Sequence, residues 1–171
     1  MRLDVSKALV AEGEAIPFSL EIRLPDTALM NERVAFPAAA RLSGSYASVG
    51  DSIRLWGNLA FTARSRCVLC LQSAEKAFIA PFDALYALTP DPANPDLYLY
   101  AGSWIDPMEM AEEAAFLALP MRWRCAEDCR GLCPVCGADR NKTSCSCRME
   151  MPSKHPFSAL QQLLTEDESE V

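Results

Sequence analysis

Six of the eight cysteines fall between Cys125 and Cys147, in the run Cys125-x3-Cys129-x3-Cys133-x2-Cys136-x8-Cys145-x-Cys147; the other two form Cys67-Val-Leu-Cys70. Thiolates two residues apart can share one ion where the backbone turns tightly, and zinc takes four such ligands in a tetrahedron. Cys133-Pro134-Val135-Cys136-Gly137 has the composition of that turn: proline presets φ, and the trailing glycine permits a left-handed backbone. Cys145-Ser146-Cys147 follows across a short, cheaply closed loop and completes a four-sulfur set with Cys133 and Cys136. Cys129, one glycine turn before Cys133, is the substitute ligand, and Cys125 fits that set least well. Eight cysteines also divide into two fours, so Cys67, Cys70, Cys125 and Cys129 make a second candidate site. The expected cofactor is one zinc ion, with a second in that case. Alternatively, Cys67 and Cys70 form a redox dithiol, although a thioredoxin-type pair opens a helix and this one sits in a predicted hairpin.

Disulfides are the competing use of an even cysteine count. The first fifteen residues carry Arg2, Asp4, Lys7, Glu12 and Glu14, which interrupt the apolar stretch of a secretory signal. The longest apolar run, Ala114 to Met121, is far short of a membrane span. These features predict a reducing, cytoplasmic setting with no membrane partner, in which clustered cysteines bind metal. Enzyme chemistry has little to stand on. The one histidine, His155, lies between Lys154 and Pro156 and reads as a surface or helix-start residue. No glycine-rich phosphate loop, nucleophile elbow or paired-carboxylate motif occurs, and no small-molecule substrate is implied.

The chain has 171 residues, half of them hydrophobic, enough for one real core and a small appendage. A net charge of -7 argues against a protein that coats nucleic acid by general electrostatics. Residues 121–154 nevertheless hold seven Lys or Arg against four Asp or Glu, a basic island in an acidic chain. Arg122, Trp123, Arg124 and Arg130 within it are the candidate contacts to RNA or a partner.

The elements that must position these cysteines are mostly strands. From Ser52 to Arg64, apolar and polar residues alternate with period two, and Glu75 to Leu88 repeats the pattern, so a long hairpin over about 52–88 carries Cys67 and Cys70 near its tip. Pro81 marks its second strand as an edge or a bulge. Phe18 to Leu24, about Ala39 to Val49, and Leu97 to Tyr100 are further strands, with Gly44 at a bulge and Gly50 at a turn. Asp106 as cap, Pro107 at the first helical position and Glu109 predict a helix over about 107–118. The fold class is α+β: an antiparallel sheet or open barrel with one or two helices and a C-terminal zinc-knuckle module. The expected divisions are a β-rich body over 1–120, a cysteine module over 121–150, and over 151–171 a short helix starting at His155-Pro156 with an acidic tail.

Cys125-Ala-Glu-Asp-Cys129-Arg-Gly-Leu-Cys133-Pro-Val-Cys136-Gly137 followed by Cys145-Ser-Cys147 resembles the zinc-ribbon-bearing branch of the YceD family of large ribosomal RNA subunit accumulation proteins. The likeness extends back through Leu119-Pro120, the helix start at Asp106, and the Gly57 strand that leads to Cys67-x2-Cys70-Leu71. The chain departs from that pattern at Leu69, where the family usually has arginine, and at Arg140-Asn141-Lys142. The resemblance implies a cytoplasmic, non-enzymatic, bacterial-type factor needed for accumulation of large-subunit ribosomal RNA. The expected partner is a large-subunit ribosomal RNA precursor or a ribosomal protein. The competing reading is a redox-responsive zinc protein or chaperone that uses its CxxC and CxC thiols.

Overall fold

A computed structural model describes residues 2–11 and 13–147; the expected C-terminal helix, His155 and the acidic tail lie outside the described residues. The described chain is mostly strand, with two helices and no closed barrel. In chain order the elements are β1 (Leu3–Asp4), α1 (Ser6–Val10), β2 (Ile16–Ile22), β3 (Thr27–Leu29), β4 (Glu32–Val34), β5 (Ala40–Val49), β6 (Ser52–Arg66), β7 (Ser73–Ala87), β8 (Tyr98–Leu99), β9 (Trp104–Ile105) and α2 (Met108–Ala118). Two compact units divide the chain, Met1–Cys129 and Arg130–Val171.

The body of the first unit is a five-stranded sheet in the order β2-β5-β6-β7-β8, antiparallel except for the short parallel pairing of β7 with β8. Period two sets its register. Ile53, Leu55, Leu59, Phe61 and Ala63 of β6 all point to one buried face, joined there by Leu42 of β5 and Ala80, Phe82, Ala84 and Tyr86 of β7. Met110, Ala111 and Ala115 of α2 pack into this core, as do Leu119 and Trp123 beyond the helix. The cap is Pro107, one residue after the expected Asp106, whose Oδ1 still accepts from the Met108 amide at 3.1 Å. Two minor ribbons, β1 with β9 and β3 with β4, close the core's ends. The Tyr46 hydroxyl donates to the Asp4 carbonyl at 3.1 Å, tying the first ribbon to β5.

The Gly44 expectation changes, and of the two options for Pro81 the structure takes the edge. Gly44 is not at a bulge: it pairs with Gly57 in an unbroken β5–β6 register. A Cβ at Gly44 would lie 2.0 Å from the Trp56 carbonyl oxygen, and one at Gly57 2.1 Å from that of Ser43, so two strands approach too closely for any side chain. Pro81 also sits in an unbroken register, opposite Asn58. Because β8 pairs only with Tyr86 and Ala87, the Pro81 stretch of β7 is a free edge, where a missing N–H costs nothing.

Candidate metal centres

The hairpin tip is built as a knuckle. The Cys67 amide donates to the Gln72 carbonyl and the Leu71 amide returns to the Cys67 carbonyl, both at 2.9 Å, with Leu71 at φ 59°. In the second unit the Cys133 amide donates to the Ala138 carbonyl and the Gly137 amide to the Cys133 carbonyl, both at 2.8 Å, with Gly137 at φ 72°. The same backbone circuit therefore occurs twice, once with the glycine that the left-handed position favours and once with leucine.

Each knuckle supplies two sulfurs, and a second segment supplies two more. For the first, the chain leaving α2 returns to the hairpin. The Val68 amide donates to the Trp123 carbonyl at 2.8 Å, while the Trp123 indole Nε1 donates to the Ala74 carbonyl at 3.2 Å. This anchorage delivers Cys125 and Cys129, whose sulfurs lie 3.6 Å from Cys70 and 3.8 Å from Cys67 respectively. For the second, the Asp139 carboxylate accepts from the Asn141 amide and Nδ2, and Asn141 Oδ1 accepts from the Arg130 amide at 2.8 Å. That staple turns the chain toward Cys145 and Cys147.

The result is two groups of four, Cys67, Cys70, Cys125, Cys129 and Cys133, Cys136, Cys145, Cys147, with all sulfurs of a group within 4.8 Å of one another. A zinc ion with four thiolates at about 2.3 Å has a tetrahedron edge of about 3.8 Å. The measured separations fit it. Among the described residues, which include all eight cysteines, no disulfide is formed. Cys129, the expected substitute ligand of the C-terminal set, groups instead with the hairpin cysteines, its sulfur 3.8 Å from that of Cys67.

The local electrostatics suit a cation. Burial opposes ionisation of Cys67, yet the amides of Cys70, Cys125 and Leu69 directed at its sulfur prevail and bring the thiol down to about 6. Amides of Cys136 and Val135 bring Cys133 to about 6 against its burial. Protons displaced onto neighbours push Cys125, hydrogen-bonded to Cys129 and Cys70, up to about 12, and Cys147, hydrogen-bonded to Cys136, likewise to about 12. Four sulfurs this close share protons until a divalent ion replaces them. Arg64, on the strand that leads to Cys67, pairs with Glu75 at 3.5 Å.

The expected contact residues separate. Arg122, Arg124 and Arg130 are exposed. Trp123 is 4% exposed, with its ring 5.7 Å from Phe78, so its role as a surface contact is corrected to that of a core anchor. Its two arginine neighbours made it look like part of a basic surface, but positions 122, 123 and 124 alternate exposed, buried, exposed. Leu71 entered the sequence reading only within the family resemblance and Trp123 only as a surface contact, so the part both play in shaping the first centre was missed.

Against known proteins, no curated protein and no solved structure matches this chain. Residues 55–164, well over half of it, match the family model described as large ribosomal RNA subunit accumulation protein YceD. That span begins in β6, takes in α2 and covers all eight cysteines, and on it the chain belongs to the YceD family.

Proposed function

We propose that this chain is a non-enzymatic factor of the cytoplasm, in the family branch with the C-terminal cysteine motif. It supports accumulation of large-subunit ribosomal RNA by binding a ribosomal RNA precursor or a ribosomal protein. The observation that carries the reading is the closure of both cysteine groups. Four protein thiols fill a tetrahedral ion, leaving no position for a water or substrate, so a zinc ion in each site is a structural device and the work falls to surfaces. Cys67, Cys70, Cys125 and Cys129 would hold the hairpin tip to the segment after α2. Cys133, Cys136, Cys145 and Cys147 would order the second unit, which carries Arg130, Arg140 and Lys142 on its exterior.

The test is metal analysis of the purified protein joined to affinity isolation from growing cells. Two zinc ions per chain and enrichment of large-subunit precursor RNA or ribosomal protein support the proposal; their absence from the isolate refutes it. The redox reading draws on the exposure of Cys125, Cys136 and Cys147. It requires peroxide to release zinc reversibly and to switch on binding of unfolded clients.

A further inference from the structure

From Ala77 to Met121 the chain carries seven acids, Asp83, Asp91, Asp96, Asp106, Glu109, Glu112 and Glu113, and no lysine or arginine. Helix α2 lies in this segment with Met110, Ala111 and Ala115 buried. The other side exposes Glu109, Glu112 and Glu113 next to two large apolar side chains, Phe116 (45% exposed) and Leu117 (83%). Two depressions flank this side. One of about 500 Å³ is lined by residues 95–99 with Glu109 and Glu113, and one of about 400 Å³ by Thr27, Glu112, Glu113, Phe116 and Leu117. Glu113 lines both, so the two adjoin as one grooved side of α2, and the Tyr98 hydroxyl donates to its Oε2 and fixes it there. Besides burial, Glu113, Glu109 and Asp96 all act to hold the Tyr98 phenol protonated, a mark of the negative field along the groove.

Such a surface is costly to the isolated chain. Like charges three and four apart on a helix repel, and Leu99, Phe116 and Leu117 leave apolar area in water. Both costs are relieved by one kind of occupant. A nucleic acid or an anionic membrane would be repelled, and a second copy, whose basic island is outweighed by a net charge of -7, is disfavoured by the overall repulsion. We infer that the groove along the exposed side of α2 docks a Lys/Arg-rich polypeptide segment, which seats an apolar side chain against Phe116 and Leu117 and sets its cations on Asp96, Glu109 and Glu112. The inference rests on the reading that the chain works by binding assembly partners, and adds the chemistry and place of one of them.

The test uses the full chain and a labelled fourteen-residue probe of alternating lysine pairs and leucine, with a glutamate-for-lysine version beside it. Fluorescence anisotropy measures affinity across a salt series, and amide chemical shifts map the site. The basic probe binds and the acidic one does not, with shifts confined to residues 95–117 and 27. Leu117→Ser weakens binding about tenfold, the loss expected on withdrawing one leucine contact. Glu112→Lys weakens it about threefold and flattens the salt dependence. Both residues are exposed, so melting stays unchanged. Unaltered affinity in both variants, shifts elsewhere, RNA competing at the same residues, or self-association abolished by Leu117→Ser would each overturn the inference. Affinity isolates without large-subunit components, with the probe still docking on α2, refute the proposed function and leave this surface standing. The reverse pattern refutes the surface alone.

Discussion

Replacing Trp123 tests whether the first cysteine centre is held by the body's core. Its ring is 4% exposed and packs on Phe78, and its indole N–H satisfies the Ala74 carbonyl. Trp123→Phe keeps most of the apolar contact, loses that hydrogen bond and strands a carbonyl, at a cost of about 1.5 kcal/mol. Trp123→Ala opens a cavity as well and costs about 3 to 5 kcal/mol, a large share of a domain's total stability. The loss falls where the chain delivers Cys125 and Cys129 to Cys67 and Cys70. If alkylation of the buried Cys67 and Cys70 proceeds through local opening, each 1.4 kcal/mol speeds it about tenfold, so these two thiols react about tenfold faster in Trp123→Phe and about a hundredfold to several thousandfold faster in Trp123→Ala. The assay is alkylation of the purified protein resolved by cysteine in mass spectrometry, beside thermal melting. Cys133, Cys136, Cys145 and Cys147 should keep their wild-type rates. A Trp123→Ala protein that melts like wild type, or that exposes all eight thiols equally, refutes the anchor. Loss of partner binding with stability intact would return Trp123 to the surface role.

Other outcomes follow from single features. A Cβ at Gly137 meets nothing within 4 Å, so Gly137→Ala is a pure test of φ 72° and should weaken the second centre by about 1 kcal/mol, read as faster zinc transfer to a chelator. Leu71→Gly should act in the opposite sense at the first centre, offset in part by the entropy glycine adds to the unfolded chain. Among the described residues the buried Tyr86 hydroxyl has no hydrogen-bond partner, so Tyr86→Phe should be neutral or raise the melting temperature by a few degrees. Asp26 accepts from the Arg33 guanidinium and the Phe36 amide, which together hold its pKa below the ordinary value. A depressed folded pKa adds stability above the unfolded value of about 3.9 that is lost as pH falls through the folded one. The difference in urea stability between wild type and Asp26→Asn should therefore be constant near neutrality and vanish in strong acid.

What the sequence made legible depended on how far apart the deciding residues lie. The β6–β7 hairpin declared itself because its alternation persists for fifteen residues in each strand, and α2 because its cap chemistry is contiguous. The set Cys133, Cys136, Cys145 and Cys147 closes within a short loop and was readable from spacing alone. Cys67 and Cys70 meet Cys125 and Cys129 only after the whole of β7 and α2 has been placed, so that set stayed one of two options until the fold existed. Gly44 was misread because a strand glycine looks the same whether it bulges or yields to a facing strand, and only the register with Gly57 distinguishes them. The ribbons β1–β9 and β3–β4 have two and three residues per strand, too few to show a period.

The two centres, alike in backbone, should respond differently to metal loss. The first unit has its own core of more than twenty buried apolar residues, and its cysteines staple a hairpin that the sheet already defines. Among the described residues of the second unit only Gly131 and Cys133 are buried, and its hydrogen bonds reach no further than the eleven positions from Arg130 to Asn141. Apolar burial cannot offset the entropy of ordering such a segment, whereas thiolate–zinc bonds contribute on the order of 10 kcal/mol. A strong chelator should therefore abolish amide protection across residues 130–147 while the amides of β5, β6 and β7 exchange nearly as slowly as before. Around Cys67 and Cys70, protection should fall only at the tip. Hydrogen exchange with and without chelator reads all three regions at once. Collapse of sheet protection together with the second unit would mean that the metal builds the body as well, contrary to the self-sufficiency of its core.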